Sequence, residues 1–215
     1  MNDKVLRQSV TDALDFDPRI DAANIGVAVE EGIVTLTGHV GSYAEKIAAE
    51  TLAQRIKGVR AIAVEIEVRY PYHKKTADDE IAERAVKVIA WDAMVPEGVV
   101  HVKVEKGWVT LSGTVDWQFQ REAATTAVHK LNGVVGVING VAVKSRVQAT
   151  DVKAKILAAL KRDAEFEADG IHVNVLGDKV ILDGKIKAWH ERSVAERAAW
   201  SAAGVCSVED NLRVA

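Results

Sequence analysis

Apolar positions along this chain of 215 residues follow one order of spacings that occurs three times. Residues 3–69 align without a gap to residues 78–144, and residues 149–215 form a third copy. Each copy opens with apolar residues spaced i, i+4, i+7 and i+8, which places them on one face of an amphipathic helix. These residues are Leu6, Val10, Ala13 and Leu14; Ile81, Ala85, Val88 and Ile89; and Val152, Ile156, Ala159 and Leu160. The sequence therefore predicts a repeated module that begins with a helix.

The next part of each copy alternates between apolar and polar residues, and its apolar positions are rich in β-branched residues. This pattern is typical of half-buried strands and predicts two strands in each copy. A two-residue loop that contains glycine separates the strands and predicts a hairpin turn, because such turns need positive φ. The loops are Glu31 and Gly32, Lys106 and Gly107, and Gly177 and Asp178. We expect type I′ turns in the first two copies and a type II′ turn in the third, where glycine comes first.

A second helix is predicted to start near Ser42, Trp117 and Ala188, and a third alternating strand follows it. Ser42 and Glu45 have the form of a capping box, and Asp116 is a candidate N-cap in the second copy. Two glycines recur in every copy, and we interpret all six as structural. Those inside the second strand indicate a bulge or a close backbone approach, and those after the second helix suit a left-handed residue that ends it. They are Gly38, Gly113 and Gly184, and Gly58, Gly133 and Gly204.

The order of elements predicts an α+β fold made of three tandem αββαβ modules. The hairpin makes two strands antiparallel, and the helical crossover favours parallel pairing of the last strand, so each three-stranded sheet should be mixed. Two helices should pack on one face of each sheet. We place module 1 at residues 1–70, module 2 at 77–145 and module 3 at 149–215. The linkers are short, and we expect neighbouring modules to touch or to hold a limited range of orientations.

Composition narrows the class of protein. Apolar residues make up 48% of the chain and charged residues 27%, as in globular proteins, and the net charge of −3 speaks against a nucleic-acid partner. No apolar run has the length of a transmembrane segment, and the single Cys206 excludes an internal disulfide. The charged start of the chain does not resemble a signal peptide. We therefore expect a cytoplasmic protein, or a periplasmic one if a signal peptide has been removed.

No spacing of residues in the sequence is typical of a catalytic or metal site. The six histidines form neither an HExxH motif nor a cluster with cysteine, and neither a nucleophile elbow nor a phosphate-binding loop is present. His101 and His172 alternate with apolar residues, so we expect them on the polar face of a strand. The sequence predicts that the protein is not an enzyme and needs no metal or cofactor.

Aromatic and basic residues are the candidates for a binding surface. Tryptophan is favoured at membrane interfaces and protein contacts, although these rings could also cover helix ends or pack between modules. The densest basic run lies in module 3 and could meet anionic lipid headgroups, or could be a solvated face balanced by Asp178, Asp183 and Glu191. The candidate residues are Trp108, Trp117, Trp189, Lys179, Lys185, Lys187 and Arg192.

Three stretches carry a family resemblance: GIVTLTGHV with KGV, GWVTLSGTV with NGV, and DKVILDGKI with AGV. Each closes in an alternating strand, and together they resemble the BON domain, a bacterial module of osmotically inducible and nodulation proteins. The third copy departs from the pattern because it lacks the glycine equivalent to Gly32 and Gly107. The resemblance implies a non-enzymatic role linked to phospholipid membranes, to osmotic stress and, in one architecture, to potassium.

Two functions follow from these observations as hypotheses. The first is a stress-associated binding protein that contacts an anionic phospholipid surface or a protein partner without turnover. The second is a cytosolic protein that binds or senses a small ligand or potassium held between modules.

Overall fold

The computed structural model describes residues 2–70, 76–144, 152–162 and 170–214. The chain divides into two compact units, Met1–Ala142 and Val143–Ala215. The first unit contains module 1 and nearly all of module 2, and the second contains module 3.

Each module contains a helix, a β-hairpin, a second helix and a third strand in that order, as the repeat predicts. Module 1 consists of α1 (Asp3–Phe16), β1 (Ile25–Glu30), β2 (Ile33–Val40), α2 (Tyr43–Gln54) and β3 (Ala61–Val68), with a short 3₁₀ turn at Ala22–Asn24. Module 2 consists of α3 (Asp78–Trp91), β4 (Val100–Glu105), β5 (Trp108–Val115), α4 (Gln118–His129) and β6 (Gly136–Val143). Module 3 consists of α5 (Val152–Arg162), β7 (Ile171–Leu176), β8 (Lys179–Ile186), α6 (Glu191–Trp200) and β9 (Ser207–Val214).

The three sheets are mixed, and the predicted α+β class is confirmed. The strand orders are β1-β2-β3, β4-β5-β6 and β7-β8-β9, so the second strand of each module lies in the middle. In module 1, β2 is antiparallel to β1 and parallel to β3, and module 3 repeats this arrangement. A hairpin followed by a helical crossover produces this topology because the crossover returns the last strand in the direction of the middle one.

The core of each module lies between its sheet and its two helices. In module 1 the first helix buries Leu6, Val10 and Leu14 against Val34 and Leu36 of the middle strand. Module 3 buries the equivalent residues Ile156, Leu160, Val180 and Leu182. His101 and His172 alternate with buried or half-buried residues of β4 and β7 and are exposed, as the alternation predicted.

The hairpin turns follow the sequence. Glu31 and Gly32 both have positive φ, of 49° and 78°, as do Lys106 and Gly107, which confirms the type I′ turns. In the third turn Gly177 has a φ of 66°, and Asp178 is not in the left-handed region, as a type II′ turn requires.

The repeated glycines have two structural roles. A Cβ on Gly38 would lie 2.0 Å from the carbonyl oxygen of Asn24, so the start of β1 can approach β2 only where no side chain intervenes. Gly58 has a φ of 96° but does not end α2 directly, and that prediction is wrong. The helix stops at Gln54, and Gly58 belongs to a further turn closed by Val59 N–H donating to the Ile56 carbonyl at 3.2 Å. That turn places Val59 in the core, where it is fully buried.

The starts of the second helices differ from the prediction in two modules. Ser42 caps α2, since its hydroxyl accepts from Glu45 N–H at 3.2 Å. In module 2, however, α4 begins at Gln118 after Trp117, and Asp116 is not the N-cap. The side-chain oxygen of Gln120 accepts from the N–H groups of both Asp116 and Trp117, at 3.0 Å each. These bonds hold the backbone before the helix, and the N-cap is Trp117, one residue later than predicted. The start of α6 is Glu191 rather than Ala188.

Candidate functional site

The basic run of module 3 is partly engaged within its own module. Lys179 Nζ lies 2.5 Å from Glu209 Oε2, across the pairing of β8 with β9. Lys185 and Lys187 are exposed, and Lys185 pairs in register with Arg213 of β9. Two like charges held side by side favour an anionic neighbour because each raises the positive potential at the other. The structure therefore places Lys185 and Arg213 together at one end of the outer sheet face, with Lys187 two residues further along the chain.

Trp189 and Arg192 form a contact with each other that also joins α6 to β9. The Arg192 guanidinium lies 4.8 Å from the centroid of the Trp189 ring and donates a hydrogen bond to the Leu212 carbonyl. Its Nη1 lies 3.4 Å from Asp210 Oδ2, and the carboxylate is largely buried. The counter-charges in module 3 are thus Glu209 and Asp210, which the sequence analysis did not single out.

A basic residue holds this position in every module. Lys46 Nζ donates to the Ile66 carbonyl at 2.8 Å, and Arg121 Nη2 donates to the Asn139 carbonyl at 3.3 Å. A side chain that satisfies a carbonyl of the last strand in three copies has a structural role in each. The recurrence of a basic residue here was the sequence signal for that role.

Trp108 and Trp117 lie at opposite ends of β5, so roughly 25 Å of strand separates them. Trp108 is 49% exposed on the outer face of the sheet. A Cβ on Gly136 would come within 2.4 Å of its indole ring, so the ring lies directly against that glycine. Trp117 is half-buried before α4. The structure does not bring the two rings into one surface.

An exposed tryptophan that sequence reasoning missed lies at the end of α3. Trp91 is 89% exposed, and Val86 and Met94 are also exposed. We call these three residues the α3 tip. Lys87 and Arg84, one and two turns before Trp91, are exposed on the same side of the helix and form surface pairs with Glu83 and Glu80. The signal in the sequence was that Trp91 falls outside the buried i, i+4 face of its helix.

Module 1 carries an aromatic residue at the same place with different neighbours. Phe16, the last residue of α1, is also 89% exposed. Asp12 and Asp15 take the places of Lys87 and Ala90, and both are exposed. Arg19 takes the place of Met94 and is bound to Asp17 at 2.6 Å, which lowers the pKa of Asp17 to about 2. The end of α1 therefore carries carboxylates at two positions where the end of α3 carries Lys87 and Ala90.

Modules 1 and 2 contact each other through two tyrosines and a histidine. The Tyr70 hydroxyl donates to the Val134 carbonyl at 2.8 Å and accepts from Tyr43 N–H at 3.5 Å. The ring of Tyr43 meets the ring of His129 edge to face, with centroids 5.2 Å apart. Burial raises the pKa of both tyrosines and lowers the pKa of His129. We call Tyr43, Tyr70 and His129 the latch.

The first residues of α1 and α3 are aspartates whose carboxylates hold the hairpins in place. The Asp3 carboxylate accepts from the N–H groups of Glu31 and Gly32, at 2.8 and 3.1 Å. Asp78 accepts from Lys106 and Gly107 in the same way, at 2.7 and 2.8 Å. Ala149 stands at the equivalent position of module 3, outside the described residues. Asp78 also lines an open groove of about 570 Å³ between the end of β3 and module 2, but both of its oxygens are already engaged.

The described ranges hold no group of three or more His, Cys, Asp or Glu side chains arranged to bind a metal ion. Within the same ranges, no helix is both long and apolar enough to cross a membrane. Cys206 is half-buried, with its Sγ 3.7 Å from the Gly204 carbonyl.

Comparison with known proteins gives a family match over nearly the whole chain. The model of the BON domain matches three times, at residues 2–70, 77–145 and 148–215. Osmotically-inducible protein Y of Escherichia coli (strain K12) is 31% identical over 148 residues, which cover 67% of this chain and 74% of that protein. Two solved chains of CdsD, a structural protein of the type III secretion system of Chlamydia trachomatis, are each 15% identical. They cover 98% and 100% of this chain and 92% and 98% of their own length, with TM-scores of 0.26 and 0.28.

Proposed function

This chain belongs to the BON domain family, and from that premise we propose that it is a stress-associated, non-enzymatic protein that binds an anionic phospholipid surface. The name of the Escherichia coli relative supports the link to osmotic stress. The lack of a catalytic motif in the sequence supports a binding role. A cytoplasmic or periplasmic location stays a prediction.

The single observation that carries the lipid proposal is the α3 tip. An almost fully exposed tryptophan ring is unfavourable in water. Its free energy falls when the ring enters the boundary between lipid headgroups and acyl chains. Met94 is exposed three residues after Trp91, and Val86 is exposed five residues before it on another side of the helix. An exposed aromatic ring at the end of a helix is typical of a surface that meets a membrane or a partner.

The charges beside the α3 tip favour an anionic surface over a neutral one. Arg84 and Lys87 form exposed ion pairs, which are worth little and can exchange for phosphate groups. Each basic residue near an anionic membrane contributes about 1 kcal/mol. Lys185 and Arg213 of module 3, which are exposed and paired in register, suit a second contact of the same kind. Lys179 and Arg192 form ion pairs with Glu209 and Asp210, and Trp189 contacts Arg192.

The test is flotation of the full chain with anionic and zwitterionic vesicles at low and moderate salt. Burial of a tryptophan ring contributes about 2 kcal/mol, so Trp91→Ala should weaken binding to anionic vesicles roughly 30-fold. Phe16→Ala is the matched control, because Phe16 is equally exposed at the equivalent position but lies among carboxylates. It should leave binding unchanged. Lys185→Ala with Lys187→Ala measures the contribution of module 3.

Three other outcomes would redirect the proposal. Equal loss in Trp91→Ala and Phe16→Ala would contradict a specific role for the α3 tip. No flotation under any condition would overturn the lipid proposal and favour a protein partner at the same patch. A higher melting temperature in potassium than in sodium would favour the second candidate, a small-ligand or potassium-binding protein.

A further inference from the structure

We propose that protonation of His129 weakens the contact between modules 1 and 2, so that the pair is docked at neutral pH and opens in acid. This inference is independent of the proposed lipid function. It rests on the latch, in which a side chain that can gain a charge near neutral pH is packed against an aromatic ring of the other module.

The geometry of the latch favours a neutral imidazole. His129 is the last residue of α4 and is half-buried. The ring planes of His129 and Tyr43 are inclined by 84°, at a centroid distance of 5.2 Å. The contact removes water from the imidazole, and a charged imidazolium needs that water more than a neutral ring does. Protonation is therefore costlier in the docked state than in the open one.

The hydrogen bonds around the ring depend on the same approach of the two modules. The Tyr70 hydroxyl reaches the Val134 carbonyl at 2.8 Å, five residues beyond His129 in the chain. The same hydroxyl accepts from Tyr43 N–H at 3.5 Å, so Tyr70 holds the residue that contacts His129 against module 2. Separation of His129 from Tyr43 would therefore also break the bond between Tyr70 and Val134.

The groups that face His129 supply no charge that would stabilise an imidazolium. From module 1 these are Tyr43, in direct contact, and Tyr70 beside it, and burial raises the pKa of both, so they are neutral in the relevant range. Glu50 on α2 adds to the effect of burial, because its negative charge also raises the pKa of Tyr43. On α4 itself the nearest charged residues in the chain are Lys130 and Glu122. Burial is the cause that lowers the pKa of His129 below its usual value of 6.5.

The direction of the pH effect follows from this lowered pKa. The docked state binds fewer protons than the open state, so docking is fully favourable above pH 6.5 and weakens as pH falls below that value. At pH 5.5 an open-state histidine is about nine-tenths protonated, so the docking equilibrium should fall by up to roughly tenfold relative to pH 7.5.

The repeat provides the matched substitution. Gln54 of module 1 holds the position of His129, so glutamine is a residue that this fold accepts at the end of the second helix. His129→Gln should remove the titratable group and keep docking independent of pH between 7.5 and 5.0. His101→Gln is the control, since His101 is exposed on the outer sheet face, away from the latch.

The experiment uses the full chain in a Cys206→Ser background with spin labels at Gln8→Cys and Lys103→Cys, two exposed positions in the two modules. Tyr70→Phe removes the hydroxyl that bonds to Val134 and to Tyr43, and it shifts the pair toward opening, so that a tenfold change becomes measurable. We expect the distance distribution of this variant to broaden between pH 7.5 and 5.0, and to stay constant when His129→Gln is added. A titration of the His129 ring by NMR should give a pKa below 6.5 in the unlabelled wild-type chain.

Two results would overturn the proposal. One is a His129 ring that titrates at or above pH 6.5 in the wild-type chain. The other is the same broadening in acid with and without His129→Gln, which would assign the effect to other groups.

Discussion

Helix α1 of module 1 and helix α3 of module 2 hold the same place in the same fold, and each ends in an aromatic residue that is 89% exposed. Their buried faces are equivalent, since Leu6 and Ile81 lie at matching positions and are fully buried. Their exposed faces differ, because Asp12 and Asp15 of α1 stand where α3 has Lys87 and Ala90. The comparison teaches that packing restricts one face of a repeated helix, while the other face is free to acquire a separate function.

The largest effect that we expect is a loss of stability when the buried face of either helix is truncated, and it tests whether the two faces are equivalent. Leu6→Ala and Ile81→Ala should each destabilise their own module by about 2–5 kcal/mol, because each leaves a cavity between helix and sheet. Amide hydrogen exchange of the full chain, followed module by module, measures this without assuming a single unfolding transition. A much smaller loss in one module would show that its first helix is not an equivalent part of the core.

A smaller effect concerns the carboxylate at the start of each helix. Asp3→Ala and Asp78→Ala should each cost about 2 kcal/mol, because two turn N–H groups lose a charged acceptor. The amides of Glu31, Gly32, Lys106 and Gly107 should then exchange faster in the affected module alone. Asparagine at the same positions keeps an acceptor oxygen and should recover part of the protection. Unchanged amide exchange in both alanine variants would show that the carboxylate does not stabilise the hairpin turn.

The smallest effect sharpens the comparison of the exposed faces. Asp12→Lys with Asp15→Ala gives α1 the local charge pattern of α3 around its own aromatic residue. Binding to anionic vesicles should rise roughly tenfold, since repulsion of the headgroups is replaced by attraction. The same change combined with Phe16→Ala separates charge from ring insertion. An equal rise with and without Phe16 would mean that charge alone is responsible.

Regular repetition made most of the architecture predictable. Helices, hairpins, turn types and the positions of Gly38, Gly113 and Gly184 follow from local spacing and from backbone preferences that any chain obeys. The errors lie at helix ends. Gln120 supplies an acceptor that displaces Asp116 from the N-cap, and the turn before Gly58 continues past the end of α2. Both depend on a few hydrogen bonds whose alternatives differ little in free energy.

The candidate site was less predictable, because exposure and pairing are properties of the folded chain. Arg192 was a candidate for contact with lipid headgroups, yet in the fold it contacts Trp189, Asp210 and the Leu212 carbonyl. Trp91 was not among the predicted binding residues, although it is far more exposed than Trp108. The sequence shows which aromatic and basic residues the chain contains, and only tertiary packing decides which of them are exposed to solvent.

The amino-acid sequence alone was enough to establish the module, its three copies and its family resemblance, because a period-two or helical spacing and a glycine turn act over a few neighbouring residues. The tertiary structure decided the rest. It brings Tyr43 and Tyr70 of module 1 to His129 of module 2, and it brings Asp3 and Asp78 to hairpins 28 residues away. Contacts between residues so distant in the chain depend on how whole elements pack, and local pattern carries no record of them.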